Sequence, residues 1–476
     1  MCGRISLQQV MYITYKNETD ILENVHNITE KERLDNRMKK KLVSLLLCGA
    51  MVGSFMTGCG GNSKSDGKTD GSEQAKVDIF QNKSEFAGEL EEAAKQYMSE
   101  HPNVTINVET VQGNDYNTSL KAKMLNDDKP EIFCTGFSGL VEDYKDYVED
   151  LSDQPWVSHI RPEFKGDVTV DDKVYGLPLS VEGYGLVYNK EIFEAAGIDG
   201  AKLTTYDAID EAFAALQKKI DNGDLKDQYP ALEAVEEYAA KESFIPGLHM
   251  INIPLQAELK NNQGAYEAKE LQFTYADALK ALVDLETKYT PAKDNLSLLN
   301  SVDYSTEIGG GIGIERVAVV QQGNWIGPEV KNVAPEVAEK LDILPIPLKG
   351  VTEDSIATGI SINWCVNAKS GDADKAATKD FLNWLFQSDD GKKIVVENLG
   401  CIPAFDNYDG IESTDTLSKV VQRYMEEGKT MPWVTGGFPS GYEPQAAADI
   451  QGYFAGDLSW EKCVEALKAD WAELRK

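Results

Sequence analysis

The chain has 476 residues and carries 47 Lys and Arg against 79 Asp and Glu, a formal charge of −32. A balance this acidic repels phosphate backbones and anionic lipid headgroups, which sets aside nucleic-acid binding and electrostatic attachment to a membrane surface and makes a neutral or cationic small molecule a better partner than an anion. At ~150 residues per domain the length allows two domains or one large one.

Residues 1–37 carry no apolar period and are read as an over-extended reading frame, with Met38 as the initiator. Lys39, Lys40 and Lys41 precede an apolar run over residues 42–55, followed by Met56-Thr57-Gly58-Cys59. These are the basic, apolar and cleavage regions of an export signal, and the run is shorter than the ~20 residues that cross a bilayer. Its end resembles a lipobox, the bacterial lipoprotein signal, with Met56 where Leu is more usual. That resemblance implies removal of residues 38–58 and lipidation of Cys59; a plain secretory signal with Cys59 an incidental thiol is the other reading. Residues 59–76 are rich in Gly, Ser and charge and read as a flexible tether.

Past the tether, Val77-Asp78-Ile79-Phe80 alternates as a strand does, and Phe86, Leu90, Ala93, Ala94 and Tyr97 then recur at helical spacing until His101-Pro102. Period two returns at Val104, Ile106 and Val108, residues 116–125 form a second short helix, and residues 130–134 a third strand. This strand, helix, strand order begins an α/β sheet. Ligands of open α/β sheets sit beyond the carboxyl ends of strands, so the turns at Asn82 and Phe137 are candidates to face one. Residues 170–179 read as a hairpin, 184–188 as a strand, and Thr205 caps a helix that buries Ile209, Phe213, Leu216 and Ile220. Later helices carry Phe381, Leu382, Leu385 and Phe386, then Val464, Leu467, Trp471 and Leu474.

Familiar reactive sets are missing. Beyond the leader the cysteines are Cys59, Cys134, Cys365, Cys401 and Cys463, without CxxC spacing or neighbouring histidines, so neither a zinc site nor a redox pair is indicated; a Cys365 to Cys401 bridge stays open. Gly309-Gly310-Gly311-Ile312-Gly313-Ile314-Glu315-Arg316 fails the dinucleotide fingerprint at Arg316 and the P-loop for want of Gly-Lys-Ser/Thr. His101, His159 and His249 are scattered, and no nucleophile, base and orienting group can be assembled. No cofactor or metal is expected.

Four segments resemble one family: residues 97–104, Val174-Tyr175-Gly176-Leu177-Pro178 with Gly185-Leu186-Val187-Tyr188-Asn189-Lys190, Ala318-Val319-Val320-Gln321-Gln322-Gly323-Asn324-Trp325, and residues 362–370. In this order behind a lipobox they resemble the extracellular solute-binding protein family 1, carbohydrate-binding lipoproteins of ABC importers that include maltodextrin binders. The resemblance implies an α/β, two-lobed periplasmic-binding-protein-like fold of type 2 with hinge strands between lobes. Residues 77–187 and 362–403 would form the N-terminal lobe, and 188–361 and 404–476 the C-terminal lobe. It implies a sugar or oligosaccharide held in the interlobe cleft, ABC transporter permease subunits as partners, and a monomer anchored at Cys59 on the outer face of a Gram-positive-type cell membrane.

Pyranose rings offer apolar C–H faces and a rim of hydroxyls, which call for aromatic plates, acceptors and amides. By family likeness Glu182 and Glu242 are sugar-bonding acids and Trp325 and Phe244 stacking plates. Trp433, in a Gly/Pro-rich loop, joins them as a plate, with Tyr184 and Asn324 as neighbours and Asn82 and Phe137 placed by strand ends. Each has a structural alternative: a solvated carboxylate for Glu182, core packing for Trp325 and Phe244, a loop anchor for Trp433. An extracellular glycoside hydrolase is the alternative from another class, because two acids at ~5 to 9.5 Å would suffice. A binding protein for a peptide or polyamine is a third reading.

Overall fold

The computed structural model describes residues 74–476, apart from 112, 113, 127, 361 and 409. The expected export signal, Cys59 and most of the tether lie outside the described residues; Ala75 and Lys76, assigned above to the tether, begin the first strand. Ala75–Gln81 runs parallel to Val104–Thr110, with Val77 opposite Ile106 and Ile79 opposite Val108. Between them Ala87–Glu100 packs back on the sheet through Leu90, Ala93, Ala94 and Tyr97. It stops where His101 Nδ1–H donates to the Tyr97 carbonyl at 2.9 Å, because the following Pro102 disfavours a helical His101. Ile132–Thr135 adds in parallel on the far side of Ala75–Gln81, and Asn363–Val366 and Leu177–Pro178 complete the sheet in antiparallel sense.

The second sheet is built on Val181–Asn189, buried at all nine positions. Ile356–Ile360 pairs with its first half and Leu341–Leu344 with its second, while Val317–Gly323 runs along the opposite edge, all antiparallel. Ala234–Glu237 and Thr430–Pro432 form the outer strands. A strand buried on both faces has no period-two signal to say which sheet it joins. Residues 181–187, grouped by sequence with the first lobe, therefore pair in the second sheet. Residues 404–408, grouped with the second lobe, stay with the first: Arg161 N–H donates to the Ala404 carbonyl and Asp406 N–H to that of His159, both at 2.9 Å, and Phe405 packs between Trp156 and Phe386. The expected hairpin is also divided. Thr169–Val170 pairs with Lys173–Val174 across Asp171 and Asp172, both at positive φ, whereas Leu177–Pro178 belongs to the first sheet.

The architecture is α/β and two-lobed, with hinge strands between the lobes. The chain passes from one sheet to the other at residues 179–181 and 360–363, and again after Tyr408. Hydrogen bonds lace the first passage to its neighbours: Val181 N–H donates to Ile402 O at 2.7 Å, and Ile402 N–H to the Ser180 side-chain Oγ at 3.0 Å. At the far end of the second lobe, Tyr442–Ala455 and Trp460–Leu474 meet through Tyr442 and Trp471, whose rings sit edge to face at 4.9 Å. Cys134, Cys365, Cys401 and Cys463 are buried free thiols, so the Cys365 to Cys401 bridge is not formed. In the glycine-rich segment Arg316 donates to the Gly310 carbonyl at 2.7 Å and pairs with Glu233 and Glu237, in keeping with a turn and not a phosphate cradle. Among the described residues no helix is long and apolar enough to cross a membrane.

Close approach at Gly185 sets a test of this pairing. A Cβ there would meet the Leu344 carbonyl at 2.4 Å and Ile343 Cγ2 at 2.8 Å, whereas one at Gly88 meets nothing within 4 Å. Gly185→Ala should destabilise by about 1–3 kcal/mol, and Gly88→Ala in the helix Ala87–Glu100 should stabilise by up to about 1 kcal/mol, both read as shifts in the urea midpoint.

Candidate ligand-binding cleft

A cavity of about 510 Å³ opens where the two passages between sheets meet the ends of the first and central strands. The first lobe contributes the loop after Ala75–Gln81. Gln81 is buried and holds that loop: its Nε2–H donates to the Lys83 carbonyl at 2.9 Å, and its Oε1 accepts from Lys83 N–H at 2.5 Å. Asn82, Lys83 and Ser84 consequently line the cavity, with Ile362 from the second passage beside them. The second lobe answers with Glu182, whose carboxylate forms an ion pair with Lys83; their side chains are only 10% and 13% exposed. Two charges so far from water are held by each other, and removing either would strand its partner.

Aromatic side chains make the rest of the wall. Trp325 follows Val317–Gly323 after Asn324, and its ring lies back over Gly323, where an added Cβ would collide with it. Trp433 is seated in the same way on Gly359, whose Cβ would lie 2.7 Å from the Trp433 side chain. Tyr184 stacks on His249 at 4.2 Å and lies 5.7 Å from Trp433; Trp325 reaches His249 at 5.3 Å, and Phe244 meets His249 and Tyr304 edge to face. The Tyr184 hydroxyl donates to the His249 carbonyl at 2.9 Å, so it is the ring that this tyrosine offers the cavity. The Gln321 carboxamide lies 3.2 Å from His249 Nδ1, a side-chain hydrogen bond that orients the imidazole. Burial lowers the His249 pKa to about 3, so the ring is neutral.

Polar groups are distributed around these plates. Glu242 accepts from the Tyr304 backbone N–H at 3.1 Å, and Glu329 and Thr435 complete the polar lining. Asn82 Oδ1 and Trp433 Nε1, on two lining side chains, are enclosed and have no hydrogen-bond partner within the protein. A buried acceptor and a buried donor without partners are uncommon in folded chains.

Of the residues singled out from sequence, Glu182, Trp325, Trp433, Phe244, Glu242, Tyr184 and Asn82 line this one cavity. Two do not. Asn324 straps the end of its strand to the central one: Oδ1 accepts from Gly183 N–H at 2.9 Å, its own N–H donates to Gly183 O at 3.1 Å, and Nδ2 donates to Ser418 Oγ at 3.2 Å. Phe137 packs edge to face on Tyr266 of the other lobe at 6.1 Å, beside Ser138, whose hydroxyl lies 2.8 Å from the carbonyls of Gly436 and Phe438. The strand-end expectation has Phe137 facing a ligand, whereas its ring packs on Tyr266. Lys83 and Thr435 adjoin segments already singled out, and their side chains could have been included. Ile362 opens a segment singled out for its family resemblance, whereas Leu248, His249 and Tyr304 had no such signal, since an isolated histidine in an apolar run reads as core.

Residues 92–425 match the bacterial extracellular solute-binding proteins. The chain belongs to that family. Solute-binding proteins similar to it include the melibiose/raffinose/stachyose-binding protein MelE of Bacillus subtilis (strain 168), 24% identical over 270 residues that make up 56% of this chain and 59% of that protein. The matched segment therefore spans less than two thirds of MelE. The lactose-binding protein of Rhizobium radiobacter is 25% identical over 317 residues, 63% of this chain and 67% of its own. Among solved structures, a sugar transporter of Bacillus licheniformis in complex with stachyose superposes with a TM-score of 0.64 at 20% identity, over 84% of this chain and all of that one.

The neutral His249 gives the solute-binding protein a defined acid limb. Unfolded, His249 takes up a proton below about pH 6.5; folded, it resists protonation down to about 3. The unfolded state binds more protons across that window, so stability should fall as pH drops through it. His249→Gln should show a shallower decline than wild type in urea midpoints measured against pH, and an equal slope would assign the acid loss to other groups.

Proposed function

We propose that this solute-binding protein captures a neutral oligosaccharide between its lobes and presents it to the permease subunits of an ABC importer, held at the outer membrane face by a lipid on Cys59. The observation that carries this reading is the cleft wall itself: Trp325, Trp433, Phe244 and Tyr184 supply ring surface, while Asn82 Oδ1 and Trp433 Nε1 supply an enclosed acceptor and donor without protein partners. A sugar meets both demands, with C–H faces for the rings and hydroxyls that donate and accept. The Lys83–Glu182 pair neutralises one carboxylate, which weakens the claim of a polyamine on the cleft. A volume of about 510 Å³ suits more than a single ring. The relatives named above for melibiose, raffinose, stachyose and lactose point to galactose-containing oligosaccharides as the first probes.

Binding without turnover is part of the proposal. The family comprises binding proteins, and of the three acids that line the cleft, Glu182 is engaged by Lys83 and Glu242 by the Tyr304 backbone. Capture would proceed by hinge closure about the passages at 179–181 and 360–363, with the chain acting as a monomer.

Thermal-shift and calorimetric titration with melibiose, raffinose, stachyose and lactose should identify at least one sugar that raises the melting temperature. Trp325→Ala should then weaken that sugar by about tenfold or more while leaving the fold intact. Recovery of cleaved sugar, or no response to any oligosaccharide, would overturn the reading. Separately, Cys59→Ala should move the protein from the membrane fraction into the medium.

A further inference from the structure

Behind Trp325 a chain of hydrogen bonds leads away from the cleft into the second lobe. The indole N–H donates to Gln322 Oε1 at 2.8 Å; Gln322 Nε2–H donates to Glu307 Oε2 at 2.6 Å; and the Ala239 backbone N–H donates to Glu307 Oε1 at 3.1 Å. Gln322 and Glu307 are fully buried. A carboxamide is polar end to end, so Gln322 can turn its oxygen to the indole only if its NH₂ faces an acceptor. An ionised carboxylate accepts and never donates, and with one N–H on each oxygen Glu307 fixes the amide in this sense. Protonation weakens the acceptor and introduces an O–H; if that O–H faces Gln322, the amide inverts and sets its NH₂ against the indole N–H.

We propose that Glu307, acting through Gln322, positions the Trp325 ring, so that the ionisation of Glu307 tunes sugar binding. This inference rests on Trp325 being a plate for the ligand. The groups around Glu307 make its charge responsive. Glu236 and Glu237 face it from Ala234–Glu237, with Tyr238 following, Glu242 from the next loop and Glu286 from Ala276–Lys288. Glu237 is paired with Arg316, while Glu236 and Glu286 are buried with all four carboxyl oxygens unpartnered, and burial raises both well above the carboxylate range. Burial first, then repulsion from Glu237 and Glu242, outweighs the two hydrogen bonds and raises Glu307 to about 8. Ionised Glu307 favours the amide sense seen here, so affinity should rise as pH rises through that value.

Two readouts separate this proposal from the ligand reading. With the tryptophan indole nitrogens isotope-labelled and the Trp325 signal assigned by its loss in Trp325→Phe, the indole N–H resonance of the sugar-free protein should move through one transition between about pH 6 and pH 10. Glu307→Gln, which keeps the shape and removes the charge, should abolish that transition. In calorimetry with stachyose, wild-type affinity should increase about fivefold over the same range, the worth of one hydrogen bond, and the variant should show no such increase. A flat wild-type resonance, or a transition that persists in Glu307→Gln, overturns the proposal, as does an affinity profile that the variant leaves unchanged. If no oligosaccharide binds but the indole transition appears and depends on Glu307, the positioning chain stands and the ligand reading falls. Should Glu307→Gln fail to fold, Gln322→Met cuts the chain in its middle and is expected to flatten the resonance in the same way.

Discussion

Everything in the second lobe is arranged about a strand with no free edge and no solvent face. Val181–Asn189 accepts neighbours on both sides, and its first residues also lie against Ile402 at the passage between lobes. Continuous burial removes any freedom to slip, because a shift of one residue would turn Glu182 to the opposite face of the sheet and bring Gly183 into its place. Glu182 and Tyr184 point to the same side of this strand, and their cross-strand partners are Gly359 and Gly323. The cleft wall is thus a direct print of the register. A charged residue one step from a hinge would ordinarily be costly to bury, and Lys83 from the opposite lobe offsets that cost with an opposite charge.

Polarity in the cleft is organised in layers. At the surface lie rings, the three acids Glu182, Glu242 and Glu329, and two enclosed atoms without protein partners. One layer deeper, amides fix the rings: Gln321 holds His249, Gln322 holds Trp325, and Asn324 straps the strand that carries both. Deeper still lie the buried carboxyl groups Glu236, Glu286 and Glu307, an unusual concentration for a core. Consecutive residues of a strand alternate between faces, so Gln321 and Gln322 serve opposite sides of the same sheet. Hydrogen bonds, which have direction, give the rings a definite orientation that packing alone would leave looser.

Much of the fold could be read from the chain because its signals are local. The first strand, helix, strand unit follows from period two giving way to helical spacing and back; among the cleft aromatics Trp433 is legible from its Gly/Pro-rich loop, whereas Trp325 and Phe244 are named through family likeness. What escaped was non-local. Residues 181–187 and 404–408 were grouped with the wrong sheet, since a continuously apolar strand and a loop are assigned by pairing partners far away in sequence. Lys83 meets Glu182 across 99 positions, and His249 meets Tyr184 across 65. Asn324 and Phe137, expected at the site, do not line the cavity: one clamps backbone and the other packs against the other lobe. Position along a strand is a local property, and the direction a side chain takes from it depends on what stands opposite.

The seating of both indoles on glycine carries a consequence for how such a cleft can change. Gly323 and Gly359 flank the central strand and leave room for the indoles to lie against the sheet, so each plate has its floor in the absence of a side chain, with Gln322 orienting Trp325 from behind. Each plate is then a replaceable tile on a fixed floor. Exchanging one aromatic for another would reshape the surface presented to a ligand without moving a strand, whereas adding a single methyl group to either floor position would evict the tile. Divergence in ligand choice has its least disruptive route through the tiles, and the two glycines mark where that freedom stops.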